Sequence, residues 1–186
     1  MARASTVTIE GAFQRHVSPR HRALTGSAAG GRWGPQGAFP VFYLARPTAS
    51  VIVEAYRHLV EPVEGMKPEL VAPRRLLTCE VRATSILDLR SLDNQEIVGL
   101  TIDDLMSDIG NYAGCHRVGK TAHQLGLHGI IAPAATGLGE TLALFERHLP
   151  ADEQPVLINE ERWEQLPADP RQLRIADPAD TTGPRR

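Results

Sequence analysis

The apolar runs of this chain are short, and each is cut off by a proline, a glycine or a charge. VFYLA (Val41–Ala45), LLTCEV (Leu76–Val81), SILDL (Ser85–Leu89), GIIA (Gly129–Ala132) and TLALF (Thr141–Phe145) have the length and β-rich composition of strands. None approaches the roughly 18 apolar residues of a membrane helix. Helical spacing occurs in two places. TASVIVEAYRHLVE, entered through Pro47, carries Val51, Ala55 and Leu59 at i, i+4 and i+8, and a later segment carries Val118, Ala122 and Leu125 before stopping at Gly126 or Gly129. Asn94–Leu105 predicts one or two short helices, Glu61–Pro73 and Ser107–Gly114 loops, Val156–Asn159 an edge strand, and Glu160–Gln165 a short helix. Strands and helices alternate irregularly, without βαβ spacing. An α+β fold with a mixed sheet flanked by helices is therefore expected.

A chain of 186 residues, 42% hydrophobic, forms one domain of ordinary size. Such a domain buries roughly 70% of its unfolded surface, so neither disulfides nor a metal is needed for stability. The domain is expected over residues 11–175, with flexible ends at 1–10 and 176–186, where apolar periodicity is missing. Cys79 and Cys115 stand far apart, as reduced thiols do, and the N-terminus lacks an apolar leader, so a cytoplasmic location is expected. A net charge of −2 argues against a dedicated nucleic-acid binder. Only Lys67 and Lys120 are lysines among 20 basic residues. The arginine bias fits codon usage, or else sites where a planar fork meets phosphate or carboxylate.

Gly114 to Thr121 matches G-x-x-x-x-G-K-[ST], the loop that cradles nucleotide phosphates. That chemistry needs a buried strand feeding the loop, and the preceding SDIGNYA is polar and broken by glycine. The expected role is an ordinary helix start in which Gly119 permits close packing. His116, His123 and His128 have no metal-ligand spacing, so no metal is expected.

A second constellation is more informative. Gly30-Gly31-Arg32-Trp33-Gly34-Pro35 is followed by Pro40-Val-Phe-Tyr43-Leu and then by Glu54, a carboxylate among apolar helix neighbours. Buried there, it needs a partner; on the outer helix face it is simply solvated. In this order the residues resemble the RES domain, found in bacterial toxins paired with Xre-family antitoxins. Phe13-Gln-Arg15-His16, Gly114-Cys-x-x-Val-Gly119 and Gly129-Ile-Ile-Ala-Pro133-Ala-Ala extend the resemblance over roughly Phe13 to Glu146.

The resemblance implies an ADP-ribosyltransferase-like fold and chemistry on NAD: phosphorolysis, hydrolysis or ADP-ribose transfer to protein. Phosphorolysis, with inorganic phosphate as co-substrate and no further cofactor, is the leading expectation. Arg32, Tyr43 and Glu54 are then the expected catalytic residues. Glu54 would stabilise positive charge on the ribose, Arg32 would grip phosphate oxygens, and Tyr43 would meet the nicotinamide ribose. Arg15 and His16 are expected at a second anion contact. Trp33 would either stack on a ring of NAD or lock the loop from the core. The expected partner is a small helix-turn-helix antitoxin of the Xre family, with no nucleic acid or membrane in direct contact. Two departures stand out: Pro133-Ala134-Ala135 and Ala113 offer no serine where the family name expects one, leaving Thr136 or backbone N–H groups to substitute, and Gly34 replaces a common Asn. A catalytically silent module that binds antitoxin or nucleotide, and a P-loop NTPase, are the competing readings.

Overall fold

Residues 4–21, 24–107 and 110–172 are described by the structure, a computed structural model of the chain. Six strands and four α-helices follow in the order β1 (Thr6–Val17), β2 (Val41–Arg46), α1 (Thr48–Leu59), β3 (Arg74–Asp88), α2 (Leu92–Val98), α3 (Ile102–Met106), α4 (Ala113–Gln124), β4 (Gly129–Pro133), β5 (Glu140–Phe145) and β6 (Val156–Trp163). The sheet is mixed, as expected. β1, β2, β5 and β4 pair antiparallel along the order β1-β2-β5-β4, while β4 lies parallel to β3. A parallel pair needs a long crossover, and α2, α3 and α4 supply it. β1 also pairs antiparallel with β3 from Thr6↔Leu87 to Val17↔Arg75, so five strands close into a ring. β6 adds to the free side of the first half of β3.

Alternation of side chains sorts the core into two faces of the ring wall. Phe42, Leu44, Leu142, Leu144, Ile131 and Ile86 point into the ring with Ile9, Phe13 and Val81. Val41, Ala143, Phe145, Ile130 and Leu87 point outward under Leu105, Val118 and Ala122 of α3 and α4. Burial on both faces explains why GIIA and TLALF are continuous apolar runs. On another side, Val51, Ala55 and Tyr56 of α1 pack with Leu76, Trp163 and Leu166.

Several elements differ from the sequence expectation. Ordered backbone begins well before residue 11: β1 starts at Thr6, and buried Asn94 ties Ser5 down by accepting its N–H at 3.0 Å and donating to its carbonyl. Residues 176–186 lie outside the described residues. The two runs at Leu76–Val81 and Ser85–Leu89 are one 15-residue strand, bent at Ser85, whose φ of 54° is left-handed. Past that bend the strand exchanges one neighbour, β6, for another, β4. Glu160–Gln165 is not a helix, because Glu160 to Trp163 continue β6 on the ladder with β3. Asn94–Leu105 does hold two short helices, divided by Gly99 at φ 69°, with Thr101 and Asp104 closing a reciprocal cap on the second.

Gly114 to Thr121 lies within α4, and among the described residues no strand delivers it. Its backbone follows the helix rather than a phosphate loop, and Lys120 is exposed. Gly119 has a packing reason: a Cβ there would stand 2.0 Å from the Trp33 carbonyl oxygen. Among the described residues, no helix is long and apolar enough to cross a membrane.

Candidate active site

A cleft of about 250 Å³ opens between the ends of β1 and β2, one face of α1 from Val51 to His58, and the loops at Gly30–Trp33 and Tyr112. All six residues singled out in the sequence border it: Arg15, His16, Arg32, Trp33, Tyr43 and Glu54. β1 and β2 are neighbours in the ring, and α1 follows β2 after one residue. Residues 15, 43 and 54 therefore converge by topology.

Among the described residues Glu54 is the one carboxylate on the cleft wall, beside Arg15, Arg32 and Arg57. Burial works to raise its pKa, but the hydrogen bond and charge of His58, with Arg57 and Arg32, outweigh it and hold the carboxyl below its ordinary range. His58 Nδ1 lies 3.2 Å from Glu54 Oε2 and donates to the Glu54 carbonyl at 2.9 Å. The contact with the Glu54 carboxylate, helped by the carbonyl bond, raises the imidazole's pKa against the opposing pull of burial. The helix places an ionised acid at the cleft wall by pairing it one turn later.

Arg32 reaches across to the loop after α3. Its Nη1 donates to the Asp104 carbonyl at 2.9 Å and to Ser107 Oγ at 3.0 Å, and its Nη2 donates to the Ser107 carbonyl at 2.8 Å. Its plane lies 4.6 Å from the centre of the Tyr112 ring. Tyr43 accepts the Trp33 N–H at 2.9 Å, and burial raises its pKa, so it stays a phenol with its proton available to a ligand. Gly31 makes this approach possible, since a Cβ would sit 2.8 Å from the Tyr43 hydroxyl.

Arg15 stacks 4.6 Å from the Phe42 ring and donates to the Thr25 carbonyl, and burial lowers its pKa. His16 is neutral. Burial and the neighbouring Arg74 push it down to about 3, and Arg74 Nε donates to its Nδ1 at 3.2 Å. The proton therefore resides on Nε2, so His16 offers a neutral donor rather than a second cation. Trp33 borders the cleft, but its side chain is only 1% exposed and belongs to the core beneath α4. Of the two roles open to it, packing wins over stacking on a ligand.

A family model for the RES domain matches residues 9–167. The chain belongs to the RES domain family. Its curated relatives include proteins named NAD(+) phosphorylase MbcT from Mycobacterium tuberculosis (strain ATCC 25618 / H37Rv) and Mycobacterium bovis. Each is 35% identical over 136 residues, 72% of this chain and 72% of theirs. Among solved structures, the crystal structure of the M. tuberculosis MbcT–MbcA toxin–antitoxin complex contains a chain that superposes with a TM-score of 0.74 at 31% identity. The match covers 87% of this chain and 88% of that one.

Within this RES domain the positions without serine are now located. Ala134 is buried, and its N–H donates to the Gly139 carbonyl at 3.0 Å, closing a turn. Thr136 is committed to buried Ser50, with the hydroxyls 3.1 Å apart, so neither group is free to replace a serine. Ala135 is the residue of this turn that borders the cleft, and Ala113 opens α4 on its exposed side. Of the three histidines, His116 meets the Gly31 carbonyl at 2.9 Å, His123 stacks on Phe39, and His128 lies 2.7 Å from Glu153. Cleft residues that escaped the sequence reading include Gln14, Arg57, His58 and Tyr112. Arg57 and His58 were detectable, because i+3 and i+4 from a helical Glu are where its partners stand.

Proposed function

We propose that this RES domain is the toxin of a toxin–antitoxin pair and degrades NAD by breaking the nicotinamide–ribose bond, with inorganic phosphate as the acceptor. The observation that carries the reading is Glu54, an ionised carboxylate alone on a cleft wall of arginines. Breaking the bond between C1″ and the pyridinium nitrogen leaves oxocarbenium-like charge on the ribose, which a fixed carboxylate stabilises. The arginines suit the pyrophosphate and the incoming phosphate. Tyr43 and the neutral His16 supply donors for ribose hydroxyls. The bonding electrons pass to the ring, so nicotinamide leaves neutral, and the phosphate oxygen closes on C1″ to give ADP-ribose 1″-phosphate. Similarity to MbcT supports phosphate over water as the acceptor. The ring of strands with a cleft at β1 and β2 suits an ADP-ribosyltransferase-like architecture. A helix-turn-helix antitoxin of the Xre type, covering the cleft in the cytoplasm, completes the reading.

Purified protein incubated with NAD, with and without phosphate, tests it. NAD loss that depends on phosphate is the expected outcome; loss without phosphate makes the chain a hydrolase, and no loss under either condition ends the reading. Glu54→Gln is expected to lower turnover about 10²- to 10³-fold. A variant with full activity removes the carboxylate from the reaction.

A further inference from the structure

The cleft holds a cation to which the mechanism above gives no role of its own. Arg57 stands on α1 three residues after Glu54, borders the same cavity, and has a side chain only 12% exposed. The other two arginines that border it are occupied by protein: Arg32 by Asp104 and Ser107, and Arg15 by Thr25. Among the described residues Arg57 has no hydrogen bond of this kind. The nearest carboxylate oxygen, Glu54 Oε1, is 3.6 Å away, beyond hydrogen-bond length. A guanidinium carries five N–H donors, and those of Arg57, on the cavity wall, are available to an anion that enters it.

Building on the NAD-cleaving reading, we propose that Arg57 seats the attacking phosphate and thereby makes phosphate, rather than water, the acceptor. The planar fork offers two parallel N–H bonds to phosphate oxygens, a geometry that water cannot exploit. Its place beside Glu54 solves an electrostatic problem. Phosphate must approach the same ribose carbon that the carboxylate attends, and two anions side by side repel unless a cation lies between them. Hydrogen phosphate held there forms the oxygen–C1″ bond as the C1″–nitrogen bond breaks and its electron pair returns to the nicotinamide ring. The phosphate keeps its proton, so this route needs no general base. Attack by water, in contrast, requires a proton to be removed.

Initial rates against phosphate at saturating NAD, and against NAD at saturating phosphate, are measured for the wild type, Arg57→Gln and Arg57→Lys, with ADP-ribose 1″-phosphate and ADP-ribose separated. Arg57→Gln is expected to raise KM for phosphate about 10- to 100-fold, the loss of a charge-assisted bidentate contact, and KM for NAD far less. The share of ADP-ribose among the products rises with it. Equal increases in both KM values, or a fall in kcat alone, assign Arg57 to NAD or to the placement of Glu54 and overturn the proposal. Arg57→Lys keeps the charge without the fork and covers the case in which the Gln variant does not fold. Its phosphate KM rises by a smaller factor, and an unchanged value overturns the proposal. A wild type that consumes NAD without phosphate also overturns it while NAD cleavage stands. A wild type that consumes no NAD defeats the underlying reading as well.

Discussion

At the scale of single residues, the site depends on how Glu54 is kept charged. Its carboxyl lies below the ordinary 4.5 and its partner His58 above the ordinary 6.5. The carboxylate's favourable pairing is present above its ordinary value and is lost as pH falls through the depressed one. The imidazolium's is complete below 6.5 and is lost as pH rises through the elevated one. The pair is therefore intact in the window between the two shifted values, and both sides weaken outside it. His58→Ala should return the Glu54 pKa upward and move the acidic limb of the kcat/KM profile to higher pH. An acidic limb that stays in place would show that His58 does not tune the carboxylate. The meeting of Arg32, Tyr43 and Glu54 at one cleft was legible in the sequence because glycines, an aromatic and a lone acid occur there in a distinctive order. The role of Trp33 was not, since an indole beside a glycine turn serves a core and a ligand equally well, and only its 1% exposure decides.

Among the elements, α4 shows how a motif can be satisfied by packing alone. Gly119→Ala places a methyl against the Trp33 backbone, which has no side-chain freedom to yield. It should destabilise the fold by about 1–3 kcal/mol or more, measured by urea unfolding. Lys120→Ala, at an exposed position of the same helix, should leave both stability and NAD consumption unchanged. Loss of NAD turnover in that variant would revive the phosphate-loop reading. β4 and β5 were recoverable because strands buried on both faces are apolar throughout. Of β6 only the first half, Val156–Asn159, was recoverable: from Val156 to Arg162 its side chains are exposed, so burial left no alternation to mark its continuation. β3 was split in the reading because Ser85 adopts a left-handed backbone where the strand changes neighbours, a bend that composition does not announce.

For the molecule as a whole, the ring of strands is joined unevenly. β1 and β3 are registered along nearly the whole of β1, from Thr6 to Val17, whereas β1 and β2 share only the pair Gln14↔Ala45. Gln14, Arg15 and His16 on one side of that joint, and Tyr43, Leu44 and Ala45 on the other, line the cleft. Hydrogen exchange with and without ADP-ribose should show added protection in peptides spanning residues 13–17 and 41–46, and little change in β4. Uniform protection across the sheet would argue that the joint is no weaker than the rest. The fold therefore has its candidate reaction chamber at its own clasp. A bound nucleotide would bridge the two strands the backbone leaves nearly unlaced, so filling the cleft and fastening the ring would be one event, and substrate would act as a removable seam.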